Sequence, residues 1–226
     1  MTRKIVWLIV MAACGGGSGG IEPNQLPGEL ARASCSRLAE CCTPAEFKQA
    51  ALGADSVAQC EAAFTAFAGI LTTVLNDSIA KNRVIYHADR MGDCMAAFAD
   101  ASCGEPSTGG APANCGGAFE PLVANGGQCG DDFDCTSGYC SGESTDFNGS
   151  ITYGVCAAAP AVGDACDQNQ CGPGAFCEFG PSPTCVAAKS DGSQCTSDSQ
   201  CSSDHCNGAG GGGPGTCGAQ TTCDGM

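Results

Sequence analysis

Basic residues are scarce in this 226-residue chain, which has 9 Lys and Arg against 24 Asp and Glu and a formal net charge of −15. The imbalance is strongest from residue 104 to the end, where 14 acids face one base, Lys189, for a net charge of −13. A surface of this sign repels phosphate backbones and anionic lipid headgroups. The composition therefore argues against nucleic acid as a partner, and it predicts that any membrane contact depends on something other than charge.

Aromatic side chains are also few, with 1 Trp, 3 Tyr and 9 Phe, whereas the chain contains 34 Gly and 11 Pro. Such a sequence is too rich in loops to fold around one large apolar core, although its length suits one or two domains. The 21 cysteines supply the alternative, because disulfide crosslinks stabilise domains that lack a sufficient core. The cysteine content predicts a small disulfide-rich fold that forms in an oxidising compartment.

Histidine occurs only twice, and neither copy has the neighbours that catalysis requires. His87 has no serine or thiolate candidate beside it. The cysteines that flank His205 belong to a repeat whose sister units lack histidine, so we expect them to be oxidised and unable to bind zinc. The G-x-S-x-G pattern at residues 16–20 lies in a glycine tether rather than between a strand and a helix. The sequence predicts no enzyme activity, no metal centre and no cofactor.

Two acidic segments bear on calcium. Residues 167–178 follow the spacing of a calcium loop, except that Cys171 stands where an oxygen ligand is needed. Asp131, Asp132 and Asp134 form a cluster that would attract Ca²⁺ weakly, through charge rather than through a shaped site. Neither segment predicts a calcium centre.

The N-terminus lacks a hydrophobic run long enough to span a membrane. Two basic residues precede an apolar stretch, residues 5–11, that is too short to cross a hydrocarbon core of about 30 Å, which is typical of an export signal. Residues 11–14, Met-Ala-Ala-Cys, resemble the lipobox of bacterial lipoproteins, with Met where Leu is usual. The resemblance implies that residues 1–13 are a signal peptide and that Cys14 receives a lipid. The alternative is an ordinary secretory signal whose Cys14 remains a free thiol.

Lipidation of Cys14 leaves an even number of cysteines, 20, for disulfide bonds. We expect residues 14–28 to form a flexible tether between the lipid and the folded body. Acyl chains, at about 0.8 kcal/mol per buried methylene, hold an acidic protein on a membrane that its surface charge would avoid. The candidate disulfide cysteines are Cys35, Cys41, Cys42, Cys60, Cys94, Cys103, Cys115, Cys129, Cys135, Cys140, Cys156, Cys166, Cys171, Cys177, Cys185, Cys195, Cys201, Cys206, Cys217 and Cys223.

Residues 29–104 carry a helical pattern. Thr43 and Ser56 each begin a capping sequence, in which a side-chain oxygen accepts a hydrogen bond from the backbone N–H three residues on. Mostly apolar side chains then recur every three or four residues along three segments, which is typical of helices that bury one face. The three stripes are Leu30, Ser34, Leu38 and Cys41; Val57, Cys60, Phe64, Phe67, Leu71 and Val74; and Met91, Cys94, Met95 and Phe98. We predict a small bundle of three to four helices that is stapled by its own cysteines.

Residues 105–125 are predicted to be a linker, and residues 126–226 repeat one cysteine spacing. Each unit reads G-x-x-C, four or five residues, Cys, four or five residues, Cys, and a variable loop to a fourth Cys. We expect three irregular units with short β-hairpins, at residues 126–160, 163–189 and 192–226. The spacing favours pairing the first cysteine of a unit with the third and the second with the fourth, although four cysteines allow three connectivities.

Two cysteines remain after each module closes its own pairs, namely Cys115 and Cys223. We predict that they bond to each other and so clamp the start of the repeat region to its end. The competing arrangement has Cys115 crossing to the helical half or into the first unit, at Cys60, Cys103 or Cys129, while a displaced cysteine pairs with Cys223. Adjacent residues on a helix point about 100° apart, so we also expect neighbouring helical cysteines to reach different partners.

The run CGDDFDCTSGYC followed by GVC resembles the Dickkopf N-terminal cysteine-rich region. The similarity spans residues 126–217 and depends on cysteine spacing and glycines. The whole plan of lipobox, cysteine-bearing helices and cysteine-rich repeats is similar to a group of predicted bacterial surface lipoproteins of unknown role. Because scaffolds with such spacing carry unrelated activities, the resemblance does not imply the receptor binding of Dickkopf proteins.

Together these features predict a non-enzymatic, lipid-anchored protein of the bacterial cell envelope. A disulfide-stapled helical bundle would present acidic cysteine-rich repeats to a protein or glycan partner, because a rigid frame with variable loops suits binding. The alternative is an inhibitor of extracellular proteases that acts through the loop at residues 141–155. An enzyme is the third class, for which the sequence shows no convergent acid, base, nucleophile or metal set. The sequence leaves the ligand and the oligomeric state open.

Overall fold

The computed structural model describes residues 19–100, 103, 115, 117–146, 148–166, 171–208, 214–219 and 223. Over these residues the chain has a helical N-terminal region, several small antiparallel sheets and ten disulfide bonds. The prediction of a small disulfide-rich fold with helices first and short strands after them is confirmed at this level. The predicted signal peptide at residues 1–13, Cys14 and the G-x-S-x-G pattern lie outside the described residues.

The helical region begins with the caps that the sequence predicts. The helices are α1 (Leu26–Cys41), α2 (Pro44–Ala50), α3 (Val57–Ala80) and α4 (Ala88–Asp100). Thr43 forms a capping box with Glu46, whose backbone N–H donates to the Thr43 hydroxyl while its carboxylate accepts from the Thr43 backbone N–H. The Ser56 hydroxyl accepts from the Gln59 backbone N–H at 3.3 Å. Each cap satisfies a donor that the first turn of a helix leaves without a partner.

The first core lies where α1, α2 and α3 meet. It consists of Cys35, Leu38, Phe47, Ala50, Ala51, Ala54 and Cys60. The Cys35–Cys60 bond crosses this core and joins α1 to α3. Further along the predicted α3 stripe Val74 is buried, whereas the side chains of Phe67 and Leu71 lie outside the described residues.

A second core covers α4 and includes residues that the sequence assigned to a linker. Met91 and Cys94 of α4 are buried against Ala118. Strand β1 (Val84–Tyr86) pairs antiparallel with β2 (Phe119–Pro121), which places the end of the predicted 105–125 linker inside the helical unit. The linker prediction is therefore wrong for residues 117–121, because the chain returns to cover an apolar face of α4.

The prediction that Cys115 bonds to Cys223 is wrong. Cys115 pairs with Cys94, on the buried face of α4, and Cys223 pairs with Cys42 at the end of α1. Adjacent Cys41 bonds to Cys103, so the two neighbouring cysteines do reach different partners. The six cysteines of residues 29–104 therefore do not pair only with one another, because the return of the chain to α4 brings Cys115 within reach of Cys94, with a Cα–Cα separation of 4.7 Å.

Folded structure begins earlier than the predicted tether allows. The Ile21 backbone N–H donates to the Ala88 carbonyl at 2.9 Å, and the Tyr86 hydroxyl donates to the Ile21 carbonyl at 2.7 Å. Ile21 also packs on the second core, and α1 starts at Leu26. Only the part of the predicted 14–28 tether that precedes Gly19 lies outside the described residues, and the rest is bound to the helical unit.

The remainder of the chain forms small sheets around its cysteines. The strands are β3 (Gln128–Cys129), β4 (Cys140–Ser141), β5 (Ser144–Thr145), β6 (Ile151–Thr152), β7 (Gly154–Cys156), β8 (Ala175–Glu178), β9 (Thr184–Ala187), β10 (Gln194–Cys195), β11 (Cys206–Asn207) and β12 (Gly215–Cys217). Two three-stranded sheets have the orders β3-β7-β4 and β10-β12-β11, and two-stranded sheets join β5 to β6 and β8 to β9. In both three-stranded sheets the central strand carries the fourth cysteine of its set.

Candidate functional site

Three sets of four cysteines form the frame on which the second half of the chain is built. In each set the first cysteine bonds to the third and the second to the fourth, which is the pairing that the spacing favoured. The bonds are Cys129–Cys140 and Cys135–Cys156, Cys166–Cys177 and Cys171–Cys185, and Cys195–Cys206 and Cys201–Cys217. We call these sets, with the segments between their cysteines, the first, second and third four-cysteine units.

The sulfur atoms of each unit lie close together because two disulfides cross there. Three cysteines in each unit have sulfurs within 4.8 Å of one another, which is a spacing that a metal centre would also have. All of them are in disulfide bonds, and a disulfide sulfur is not a thiolate ligand. The sulfur clusters are therefore the cores of the units.

An aspartate holds the third cysteine strand in place in the first and third units. Asp132 accepts a hydrogen bond from the Cys140 backbone N–H at 2.6 Å, and Asp198 accepts one from the Cys206 backbone N–H at 2.7 Å. Each aspartate opens a 3-10 turn, Asp132–Asp134 or Asp198–Gln200. The two units thus use the same side chain at the same point of the frame.

Two residues further on, the units differ in charge. Asp134 and Gln200 occupy equivalent positions, and their side chains accept hydrogen bonds from the backbone N–H groups of Gly130, at 2.8 Å, and of Thr196, at 2.9 Å. Gln200 also accepts a bond from the Lys189 ammonium at 3.0 Å. A basic side chain therefore contacts the equivalent residue in both units, but this residue is a carboxylate, Asp134, only in the first unit.

The cation of the first unit is Arg83, which follows α3. Its Nε lies 2.9 Å from the Asp134 carboxylate, and its guanidinium also pairs with Asp77. Arg83 is 5% exposed and Asp134 is fully buried. This buried ion pair connects the helical region to the first four-cysteine unit.

The variable loop of the first unit, residues 141–155, also contacts this ion pair. We call Asp77, Lys81, Arg83, Asp134 and Tyr153 together the junction. The Tyr153 hydroxyl donates to the Asp77 carboxylate at 3.0 Å, and the Lys81 ammonium bonds to both groups. The Tyr153 ring lies 4.0 Å from the Lys81 Nζ and 4.9 Å from the Arg83 Cζ, as in a cation–π contact. This loop is the one that the sequence suggested for protease inhibition, and its Tyr153 side chain packs against the end of α3.

The carboxylate at the centre of the junction is held in its charged form. Burial on its own would raise the pKa of Asp77, but hydrogen bonds from Lys81, Tyr153 and Arg83 outweigh burial and lower it. The same contacts with Tyr153 and Asp77 raise the pKa of Lys81. The junction is an arrangement of charges that stabilise one another.

The pKa of Asp131, in contrast to that of Asp77, is raised in the folded chain. Burial raises the pKa of Asp131 to about 6, while the Phe133 backbone N–H bond lowers it and the neighbouring charges of Asp132 and Asp134 raise it further. Asp132 and Asp134 are already engaged, by a backbone N–H and by Arg83. The acidic cluster is therefore built into the frame of the first unit and does not offer its carboxylates to a cation together.

The remaining sequence candidates are dispersed. His87, which follows β1, has its Nε2 3.0 Å from Glu120 of the paired strand β2. His205 is buried with its Nδ1 3.6 Å from Asp198, and the cysteines on either side of it are oxidised. Residues 167–170 of the predicted calcium loop lie outside the described residues. No two of these candidates meet within the described parts of the chain.

The second unit projects a hairpin that the sequence reasoning did not single out. Strands β8 and β9 are joined by residues 179–183, and Glu178 pairs with Thr184 at the base of this turn. Phe179 is 71% exposed. An exposed aromatic residue within a short Gly- and Pro-containing turn is the signal in the sequence EFGPSPT that could have identified this loop.

Two surface clefts lie away from the junction. A cleft of about 400 Å³ is lined by Ser137 of the first unit, by residues 158–161 and by Gly172, Pro173 and Ala175 of the second. A second cleft, of about 350 Å³, lies between α1 and α4 beside Gly19 and Gly20. Both are lined mainly by small side chains, and neither brings together an acid, a base and a nucleophile.

One described helix, α3, is long and apolar enough to cross a membrane by length and composition alone. A single helix of this kind is weak evidence for a membrane span, and 19% of its most apolar stretch is buried in the structure.

No family model matches this chain, and no match is found among curated proteins or solved structures.

Proposed function

We propose that this chain is a non-enzymatic, lipid-anchored protein of the bacterial cell envelope whose four-cysteine units present loops to a protein or glycan partner. The main support is the arrangement of the second half, in which buried crossed disulfides hold exposed connecting segments. Loops on a rigid frame bind without a large loss of conformational entropy. Ten disulfides are consistent with an oxidising extracellular or envelope location.

The proposal includes the finer organisation that the sequence suggests. The helical region acts as a bundle between the anchor and the units, and the units are variants of one repeat that resembles the Dickkopf N-terminal cysteine-rich region. The shared Asp132 and Asp198 contacts and the equivalent positions of Asp134 and Gln200 support common descent of the first and third units. Partners are expected to be basic, because the half that carries the units has 14 acids and one base.

Lipidation is tested on the N-terminal residue of the mature protein. Mass spectrometry of the processed chain is expected to find a diacylglycerol on Cys14 and residues 1–13 removed. The variant Cys14→Ala is expected to be unprocessed or released from the membrane, while Ser18→Ala, four residues further on, is processed and anchored as the parent chain is. A Cys14→Ala protein that is processed and membrane-bound to the same extent would reject the anchor.

Binding is tested with the oxidised chain against a panel of purified envelope proteins and glycans, with the reduced and alkylated chain as the matched control. Binding that depends on the frame disappears in the control, because alkylated cysteines cannot re-form the crossed pairs. Equal binding by both forms would mean that an extended acidic segment, and not a displayed loop, carries the interaction.

A further inference from the structure

The turn of the β8–β9 hairpin, residues 178–184, offers one aromatic side chain to solvent. Phe179 is more exposed than any other large hydrophobic residue among those the structure describes, and Glu178 beside it is also exposed. Burial of a phenylalanine against a partner is favourable because it removes apolar surface from water, so this exposed side chain is available to contribute to an interaction.

Both ends of this turn are clamped. Cys177 comes immediately before Glu178 and bonds to Cys166, and Cys185 comes immediately after Thr184 and bonds to Cys171. Backbone hydrogen bonds add to the clamp, since the Cys166 N–H donates to the Pro183 carbonyl at 3.2 Å and the Cys185 N–H donates to the Asp164 carbonyl at 2.9 Å. The turn is thus restrained on each side of its exposed residues.

Two prolines restrict the turn further. Pro181 and Pro183 fix their own φ angles and favour extended backbone in the residues before them, Gly180 and Ser182. Phe179 and Gly180 both have negative or extended φ values, so the turn does not depend on a left-handed conformation at either residue. The backbone bends at residues 180–182, so the turn presents the exposed Phe179 side chain where strand β8 ends, and a protease can reach it there.

Among their described residues, the other variable loops lack this combination. In loop 141–155, the half-buried Tyr153 packs at the junction with α3. The corresponding loop of the third unit has the sequence NGAGGGGPGT, whose glycines provide no side chain for a pocket, and residues 209–213 of it lie outside the described residues. Among the described loops, the turn of the second unit alone joins an exposed aromatic residue to a disulfide at each end.

We propose that residues 178–184 bind, as a substrate-like inhibitor, to extracellular serine proteases whose primary pocket selects aromatic side chains. Phe179 fills that apolar pocket, and the Phe179–Gly180 peptide bond lies at the attacking serine. The acidic surroundings favour proteases with a basic rim around the cleft. The proposal depends on display of the units outside the cytoplasm, as proposed above, and does not depend on the lipid at Cys14.

The clamps explain why such a loop would inhibit instead of being consumed. Attack by the protease serine forms a bond to the Phe179 carbonyl carbon and breaks the bond to the Gly180 nitrogen, which takes the proton held by the protease histidine. The new amine cannot leave, because the Cys185–Cys171 bond keeps its strand on the hairpin. It therefore returns to attack the acyl-enzyme, which re-forms the peptide bond and frees the serine, so the protease remains occupied.

The test titrates the oxidised full-length chain, purified in detergent, against chymotrypsin and trypsin. We expect stoichiometric inhibition of chymotrypsin and none of trypsin. Phe179→Arg is expected to transfer inhibition to trypsin, and Phe179→Ala to weaken chymotrypsin binding by at least about 30-fold, as for a residue that dominates an interface. Val162→Ala, at a residue that is 59% exposed outside this turn, is the matched control and is expected to inhibit as the parent chain does.

Three results would overturn the proposal: absence of a complex with chymotrypsin, rapid turnover of the Phe179–Gly180 bond without inhibition, or equal inhibition by Phe179→Ala. Non-reducing peptide maps of every variant show whether the Cys166–Cys177 and Cys171–Cys185 bonds are intact, so a folding failure is distinguished from a loss of contact. Since the assay contains no membrane, its outcome is independent of the test of the anchor.

Discussion

Arg83 and Asp134 form a buried ion pair between the helical region and the first four-cysteine unit, with the Arg83 Nε 2.9 Å from the Asp134 carboxylate. Removing one member of a buried pair leaves the other charge without compensation, which commonly costs about 3 to 5 kcal/mol. Arg83→Met is therefore expected to lower the free energy of unfolding by roughly that amount, measured by guanidinium unfolding of the oxidised protein.

The third unit supplies the control for this prediction. Lys189→Met removes the cation from Gln200, which is neutral, so the expected cost is that of one hydrogen bond, about 1 kcal/mol. Equal losses in Arg83→Met and Lys189→Met would show that the charge of Asp134 does not matter to the junction.

Asp131 gives the stability a pH dependence of known sign. Its pKa of about 6 in the folded chain lies above the ordinary value of 3.8, so its contribution to stability is complete below about pH 4 and is lost as the pH rises through 6. Asp131→Asn removes this loss and keeps a side-chain oxygen for the Phe133 backbone N–H. We expect the variant to gain stability relative to the parent chain between pH 4 and pH 7, by up to about 3 kcal/mol at 1.4 kcal/mol per pKa unit.

Asp77→Asn provides the opposite case. The pKa of Asp77 is lowered in the folded chain, so its contribution is present at neutral pH and lost as the pH falls. The variant should be less stable than the parent chain at pH 7, and the difference should shrink in acid. Parallel pH profiles for the two variants would contradict both assignments.

Gly154 lies where a side chain cannot be placed. A Cβ atom there would come within 2.3 Å of the Ser141 carbonyl oxygen and 2.8 Å of the Glu143 backbone nitrogen, both in the backbone of the facing strand and turn. Gly154→Ala is expected to destabilise the first unit by about 1 to 3 kcal/mol, as overpacking does. Gly28→Ala, in α1 with open space around it, should be neutral or stabilising by up to about 1 kcal/mol. Thermal unfolding of both variants measures the contrast.

The Cys42–Cys223 bond ties the end of α1 to the last described residue, with a sequence separation of 181 residues. Non-reducing peptide mapping is expected to recover this pair and Cys94–Cys115, and the variant Cys223→Ser is expected to leave one free thiol at Cys42. The loss of stability should be below the roughly 5 kcal/mol that the chain-entropy model gives for a loop of this length, because the other disulfides already restrict the unfolded chain. A linked peptide containing Cys115 and Cys223 would restore the original prediction.

Local features were predictable from the sequence and distant ones were not. The caps at Thr43 and Ser56 depend on residues three positions apart, and a spacing that occurs three times favours the pairing found within each unit, although it leaves two other connectivities open. Both are decided by short stretches of chain, so pattern analysis reaches them.

The partner of Cys115 could not be predicted from the sequence, because it depends on the tertiary structure. Counting cysteines per module assumes that the modules close independently, whereas β2 pairs with β1 and carries the preceding segment back to α4. The ion pair of Arg83 joins residues 51 positions apart in sequence, and no periodicity marks either partner. The exposure of Phe179 is likewise a property of the folded hairpin, because most phenylalanines in such a sequence would be expected to face a core.

If Cys14 carries the proposed lipid, the hydrogen bonds of Ile21 to Ala88 and Tyr86 limit the distance between the folded body and the bilayer. With a lipid on Cys14, seven residues at about 3.3 to 3.6 Å each allow Ile21 a height of at most about 25 Å above the membrane surface. The folded body would then be confined to a shallow layer, where a partner in the same membrane meets it at a high effective concentration. Weak contacts by individual loops would be sufficient to bind a membrane-anchored partner in that layer. A soluble partner would have to approach from the side that faces away from Ile21.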